Sequence, residues 1–320
     1  MTCATKILGC GSYLPEKILT NEDLAELVDT SDSWIRTRTG ITQRHIAKEG
    51  ELTSDLGFKA AELALIDAEL NISQIDAIIV ATTTPDNIFP STATKIQAKL
   101  NMKHGFAFDV QAVCSGFVYA LTIADKFIKS NSANNILVIG AETLSRILNW
   151  QDRNSCVLFG DGAGAVILGR DQTGESDIID SILHSDGDFY NILNTDGGPS
   201  LNGGMGKITM QGKDVFKNAV SKMSATVKEI TEKNQIPLEN IKLIVPHQAN
   251  KRILDAVAER LNLDNDKIIS TVNIHANTSA ASIPLALKEA LGNNMVSRGD
   301  YMIFEALGAG LTWGSMLIKY

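Results

Sequence analysis

Apolar positions along this chain fall into two alternating kinds of run. Short stretches dense in Ile, Val and Leu, at 75–81, 135–142, 241–245 and 300–306, predict buried strands. Longer segments between them, running to Leu100 and to Leu261, carry apolar residues at helical intervals. One stripe, Leu56, Phe58, Ala60, Leu63, Ile66 and Leu70, predicts a helix that turns this face to a core, and 216–230 reads the same way. Strands alternating with helices imply an α/β fold.

The alternation occurs twice. A strand, a helical segment, a second strand-to-helix corner and a further strand span 75–142, and the same order recurs over 241–306. Aligning Val80 with Val245 gives an offset of 165, and Glu142 with Glu305 an offset of 163. Near-equal spacing predicts two duplicated lobes, 1–172 and 173–320, with their boundary near 169–176. The Gly-rich segment 198–206 reads as a mobile loop between the lobes.

The corners where strand gives way to helix hold the candidate chemistry. Cys114 ends the apolar run 108–113, and a thiol at a helix N-terminus is expected to have a lowered pKa and to be nucleophilic. His247 follows the strand at 241–245, and Asn277 follows another strand-like run at 268–272. The carboxyl ends of strands are where α/β proteins bind ligands. Taken singly, Cys114 would be a buried structural thiol, His247 a surface or core residue and Asn277 a helix cap. Gly160, Gly162 and Gly164 suggest a dinucleotide loop, but the residues after them form a β-branched run where that motif requires a helix.

Composition narrows the function classes. A chain of 320 residues exceeds the common single-domain size, and its net charge of −8 argues against nucleic acid as a partner. Cys3, Cys10, Cys114 and Cys156 form no Cys-x-x-Cys pair, so neither a zinc site nor a disulfide framework is expected. His45, His104, His184 and His275 have no ligand spacing and read as structural. Without a signal segment or a run of about 18 apolar residues, the chain reads as cytoplasmic, with no membrane partner.

Several motifs, in this order, resemble the β-ketoacyl-acyl-carrier-protein synthase III family over the whole chain. They are Gly9-Cys10-Gly11-Ser12-Tyr13-Leu14-Pro15, Thr30-Ser31-Asp32-Ser33-Trp34-Ile35, Arg38-Thr39-Gly40-Ile41, the Cys114 segment, Phe159-Gly160-Asp161-Gly162-Ala163-Gly164-Ala165, His247-Gln248-Ala249-Asn250, Asn277-Thr278-Ser279-Ala280-Ala281-Ser282 and Gly308-Ala309-Gly310-Leu311-Thr312-Trp313-Gly314. The resemblance implies an α/β thiolase-like fold with a mixed sheet in each lobe and helices between and outside the sheets. It implies an acyltransferase that condenses an acyl-CoA primer, acetyl-CoA foremost, with malonyl-acyl-carrier protein, releasing CO₂ and CoA.

On that resemblance Cys114 carries the acyl group, His247 and Asn277 stabilise the enolate left by decarboxylation, and the N–H groups of Cys114 and Ala309 form an oxyanion hole. Thr30, Trp34, Arg38, Arg153, Gly212 and Asn250 would bind CoA and its pantetheine arm. Phe89, Leu144, Leu158, Phe159 and Leu307 would line the acyl pocket, with Phe89 crossing into a second subunit of a homodimer. Lys217, Gln248, Arg252 and Arg260 would dock the acidic carrier protein, although Glu259 weakens that rim. Met210 and Phe216 fit pocket or core equally. Neither a resident cofactor nor a metal is implied. Ala276, Ala309 and Leu307 depart from the family's usual Gly, Gly and Phe, and an Ala where φ is positive would be strained. A related Cys-His-Asn enzyme of specialised acyl or quinolone synthesis is the nearest alternative, and a thioester hydrolase or a non-catalytic acyl-CoA-binding protein are alternatives of other classes.

Overall fold

The computed structural model describes residues 4–171 and 174–320. Its strands are β1 (Ala4–Tyr13), β2 (Lys17–Thr20), β3 (Gln43–Ile46), β4 (Ala77–Ala81), β5 (Phe106–Val110), β6 (Asn135–Glu142), β7 (Gly162–Asp171), β8 (Ile178–Ser185), β9 (Leu193–Thr195), β10 (Ile208–Met210), β11 (Ile241–Pro246), β12 (Tyr301–Gly308) and β13 (Thr312–Lys319). The helices are α1 (Asn21–Ala25), α2 (Asp32–Thr39), α3 (Thr53–Asp67), α4 (Thr92–Lys99), α5 (Gly116–Lys129), α6 (Arg153–Cys156), α7 (Gly212–Lys233), α8 (Lys251–Leu261), α9 (Val272–His275) and α10 (Ser282–Gly292). Among the described residues no helix is long and apolar enough to cross a membrane.

Two mixed sheets dominate. One runs β1-β7-β6-β4-β5 and the other β11-β12-β13-β8, the first drawing its strands from residues up to Asp171 and the second from Ile178 onward, while β2-β3 and β9-β10 are separate two-stranded sheets. The expected boundary, at Gln172 and Thr173, lies outside the described residues. Between the sheets lie α5 and α10, whose Phe117, Leu121, Ile283 and Leu287 pack with Ile79 and Val138 of one sheet and Val245 and Phe304 of the other. Helix α3 and Ile96 of α4 cover the outer face of the first sheet, while α7 and α8 cover that of the second. The result is a five-layered thiolase-like α/β fold.

The duplication is real, but its register differs from the one read off the sequence. A separation of 166 residues relates β6 to β12, the 3₁₀ turn Val113–Ser115 to Ser279–Ala281, and Gly116 at the start of α5 to Ser282 at the start of α10. Side-chain direction is why the odd offsets fail: equivalent strand residues must face the same layer, and a one-residue slip inverts every one of them. Val80 faces the outer helices while Val245 faces the central layer. On the true register Cys114 corresponds to Ala280, three residues beyond Asn277.

Three further expectations need correction. The buried face of α3 is Leu56, Gly57, Ala60, Ala61, Ala64 and Leu65, leaving Leu63 45% and Ile66 72% exposed. Strand β1 decides this, because Gly9 and Gly11 press on the α3 backbone so tightly that a Cβ on Gly11 would lie 2.2 Å from the Ala60 carbonyl oxygen. Only small residues fit that contact, and the large ones turn outward. Second, the run at 268–272 makes a single bridge, Ile268 to Ile244, before entering α9. Third, the Gly-rich segment 198–206 connects β9 to β10 as a hairpin within the second half, not between lobes. The run after Gly162 is indeed a strand, β7, so the dinucleotide reading fails as expected.

Candidate active site

Cys114 lies in the 3₁₀ turn Val113–Ser115 that leads directly into α5, buried and unpaired. The expected helix entrance is there, but the thiol is not activated by it. Burial pushes its pKa up from 9.0 to about 12, against the opposing effect of the Ser279 hydroxyl, while the nearby Glu142 carboxyl adds a smaller rise. Loss of hydration outweighs the helix dipole at a fully buried sulfur.

The β12–β13 turn holds this corner from the other side. A Cβ on Gly308 would lie 2.8 Å from the Cys114 nitrogen and 2.9 Å from the Ala112 oxygen, so a glycine is required where the two segments meet. Thr312 ties them together: its hydroxyl donates to the carbonyls of Ala112 and Ala309, and it accepts from the Ser115 hydroxyl at 2.8 Å. Ala309 is not among the residues with positive φ, so the substitution there is unstrained, whereas Ala276 has φ 57°.

His247 follows β11 and is fixed through its main chain and its ring. Its N–H donates to the Glu305 carbonyl at 2.7 Å, and its Nδ1 lies 2.7 Å from the Ser282 hydroxyl at the start of α10. Burial lowers its pKa from 6.5 to about 3, so the imidazole is neutral at physiological pH. Asn277 is anchored to the Leu158–Phe159 segment, donating its N–H to Leu158 and accepting from Gly160 N–H. Its Oδ1 accepts the Ser279 N–H at 2.9 Å, which fixes the carboxamide. The turns carrying Cys114 and Asn277–Ala281 pack together, with Gly116 against Ala280.

At the molecular surface, two guanidinium groups stand near the ring of Trp34 on α2. Arg38 stands 4.5 Å and Arg153 5.1 Å from its ring centroid, an arrangement suited to stacking a planar base. Thr30 has a buried hydroxyl without a partner. Gly212 begins α7, and Asn250 caps α8, its Oδ1 accepting from Arg252 N–H. Arg252 lies over the Phe216 ring, which brings the first turns of α7 and α8 together. Lys217, Arg252 and Arg260 are exposed. Gln248 is not: it is wholly buried, donates to the Pro246 and Ile269 carbonyls and accepts from Thr271 N–H. It is a structural clamp and cannot meet a carrier protein.

Leu144, Leu158 and Phe159 share one apolar cluster, but Leu307 does not join it and packs beneath α7 and α8 with Leu311 and Leu317. Phe89 is 83% exposed and fills no pocket of its own chain. Sequence reasoning passed over Ser279, Ser282, Gly308, Thr312 and Glu142, although the first four lie inside the quoted motifs and differ from their neighbours only in what they touch. Among the described residues no group of three or more His, Cys, Asp or Glu is placed to hold a metal ion.

A five-layered thiolase-like fold with a buried cysteine at the central helix entrance defines an acyl-transferring condensing enzyme. Residues 108–187 match the 3-oxoacyl-[acyl-carrier-protein] synthase III model, and 231–320 match its C-terminal model. The chain is 54% identical to the β-ketoacyl-[acyl-carrier-protein] synthase III of Paramagnetospirillum magneticum over the full length of both, and 55% identical to that of Ehrlichia chaffeensis over 98% of each. The crystal structure of 3-oxoacyl-[acyl-carrier-protein] synthase III from Aquifex aeolicus superposes with a TM-score of 0.95 at 48% identity, over 99% of this chain and all of that one. The chain belongs to the β-ketoacyl-acyl-carrier-protein synthase III family, and it is an acyltransferase.

Proposed function

We propose that Cys114 accepts the acyl group of an acyl-CoA primer and that malonyl-acyl-carrier protein is then decarboxylated and condensed with it, giving 3-oxoacyl-carrier protein, CoA and CO₂. The observation that carries this division of labour is the buried corner in which the Cys114 and Asn277 turns pack together while His247 is held neutral. In acylation the sulfur attacks the thioester carbonyl, its proton passes to the neutral His247 imidazole, and that proton leaves on the CoA thiolate. Loss of CO₂ next turns the malonyl unit into an enolate, whose oxygen is met by neutral donors from His247 and Asn277. Enolate carbon attacks the acyl-Cys114 carbonyl, and the N–H groups of Cys114 and Ala309 receive the resulting oxyanion. Every step uses protein groups and the two thioesters alone.

Delivery follows the surface features. Trp34, Arg38 and Arg153 would take the CoA base, Thr30 its nucleotide, and Gly212 and Asn250 the pantetheine arm. Lys217 and Arg252, on adjoining first turns of α7 and α8, would receive the acidic carrier protein. The acyl pocket would be built from Leu144, Leu158 and Phe159 and closed by Phe89 of a second copy. A homodimer is supported by the edge position of β5, the partly exposed Phe106 on it, and the exposed Ile88 and Phe89. We divide the lobes at 172/173, as the strand membership of the two sheets suggests.

Separate assays of the two half-reactions test this reading. Cys114→Ala should take up no acyl group by intact mass yet still release CO₂ from malonyl-carrier protein. Asn277→Ala should still be acylated, and His247→Ala more slowly because the acceptor of the thiol proton is gone, while both should lose decarboxylation on the order of 10²-fold or more. Decarboxylation lost as completely in folded Cys114→Ala as in His247→Ala would refute the division of roles.

A further inference from the structure

Ser279 touches all three of the residues to which the reaction is assigned. It is 1% exposed and has φ 49°, the same left-handed value as Val113, its counterpart 166 residues earlier beside Cys114. Two non-glycine residues held in that region at twin corners indicate backbone shaped by its surroundings against local preference. Its N–H fixes Asn277 Oδ1, and its main chain is hydrogen-bonded to the His247 ring. Its hydroxyl is buried and makes no fully formed hydrogen bond, yet it stands beside both the Cys114 thiol and the Glu142 carboxyl.

Glu142 is the second unusual member. Its carboxyl is wholly buried at the end of β6 and accepts from Thr83 N–H and Thr84 N–H and from the hydroxyls of Thr82, Thr83 and Thr84, the Thr84 bond measuring 2.6 Å. Those donors all come from the segment after β4, and the Ser279 turn covers its remaining side. Gly140 makes this contact close: a Cβ there would lie 2.2 Å from the Ala280 oxygen. Glu142 from β6 is the titratable group whose charge reaches Cys114, since Glu305 on β12 points to the opposite side of its sheet with Ile303 and Leu307.

We propose that Ser279 is a positioning residue whose hydroxyl donates to Glu142 while Cys114 is a thiol and swings to donate to the sulfur as the proton leaves. The proposal rests on acylation at Cys114. Ser279 keeps its own proton throughout: the thiol proton goes to His247 and then to the CoA thiolate, the bond from sulfur to the acyl carbon forms, and the acyl bond to CoA breaks. Glu142 accepts the hydroxyl in the resting enzyme and, by its charge, keeps Cys114 protonated until the substrate arrives. The two residues thus act on the sulfur with opposite sign.

That opposition is the test. Cys114 labelling by iodoacetamide, followed across pH by peptide mapping, should move to higher pH in Ser279→Ala and to lower pH in Glu142→Gln, each by on the order of one unit. Glu142→Asp should stay near the parent profile. Ser279→Ala should also slow acylation by acetyl-CoA about tenfold, as for a lost hydrogen bond to a charged group. A purely packing role would impair both variants without opposite shifts, and that result overturns the proposal. Should Glu142→Gln fail to fold, an unmoved profile in Ser279→Ala alone overturns it. A parent enzyme that takes no acyl group on Cys114 refutes instead the reading on which it rests.

Discussion

Ala276 has φ 57° and ψ −161°, a backbone combination that glycine adopts freely and a Cβ does not. It ends α9 immediately before Asn277, so strain is stored next to the carboxamide assigned to the enolate. Ala276→Gly should therefore stabilise the protein by about 1 kcal/mol, read as a raised urea midpoint. Ala309 is the contrasting case: with φ outside the left-handed region, Ala309→Gly should gain nothing and lose a few tenths of a kcal/mol to unfolded-state entropy. Equal effects at the two positions would show that strain does not distinguish them. Gln248 teaches the same lesson in polar form, since a residue between His247 and Asn250 in sequence is directed wholly into the interior.

Strand β12 carries two different faces. Met302, Phe304 and Ala306 meet the central helices, while Ile303, Glu305 and Leu307 turn to α7 and α8. Glu305 is opposite Ser315 of β13, and neither carboxyl oxygen nor the Ser315 hydroxyl has a partner. Burial raises the Glu305 pKa from 4.5 to about 8, so the acid is held neutral over most of the physiological range. A raised carboxyl pKa gives its full contribution below the unfolded value and loses it as pH climbs towards the folded one. Stability should fall between pH 4.5 and 8 on this account, and Glu305→Gln should remove the loss. The variant's advantage in urea unfolding should grow from pH 5 to pH 8 by a few kcal/mol at most; a constant difference would mean that Glu305 is not the titrating group. His247 works in the opposite direction, costing stability as pH drops below its unfolded value of 6.5 towards 3.

In the molecule as a whole, the loop bearing Ile88 and Phe89 exposes two large apolar side chains just before α4, which packs on the edge strand β5. If Phe89 closes the acyl pocket of a second copy, Phe89→Thr should change the ranking of acyl-CoA primers by intact-mass acylation while the dimer persists in sedimentation. A fully active monomer would overturn that assignment. What the chain fixes by itself is its sequence of strands and helices, its duplication and the residues at its strand-to-helix corners, because these follow from local periodicity and from motifs read in order. Cys114 at the entrance to α5 and His247 after β11 stand where that reading placed them, whereas Asn277 follows α9 and not a strand. Facing and environment were not legible in the sequence: the 166-residue register, the outward turn of Leu63 and Ile66, the burial of Gln248 and the departure of Leu307 from the acyl cluster each depend on which layer meets which. The raised thiol pKa of Cys114 belongs there too. A helix entrance is written in a few neighbouring residues, but desolvation and the Glu142 charge arise only when segments distant in sequence close around the sulfur.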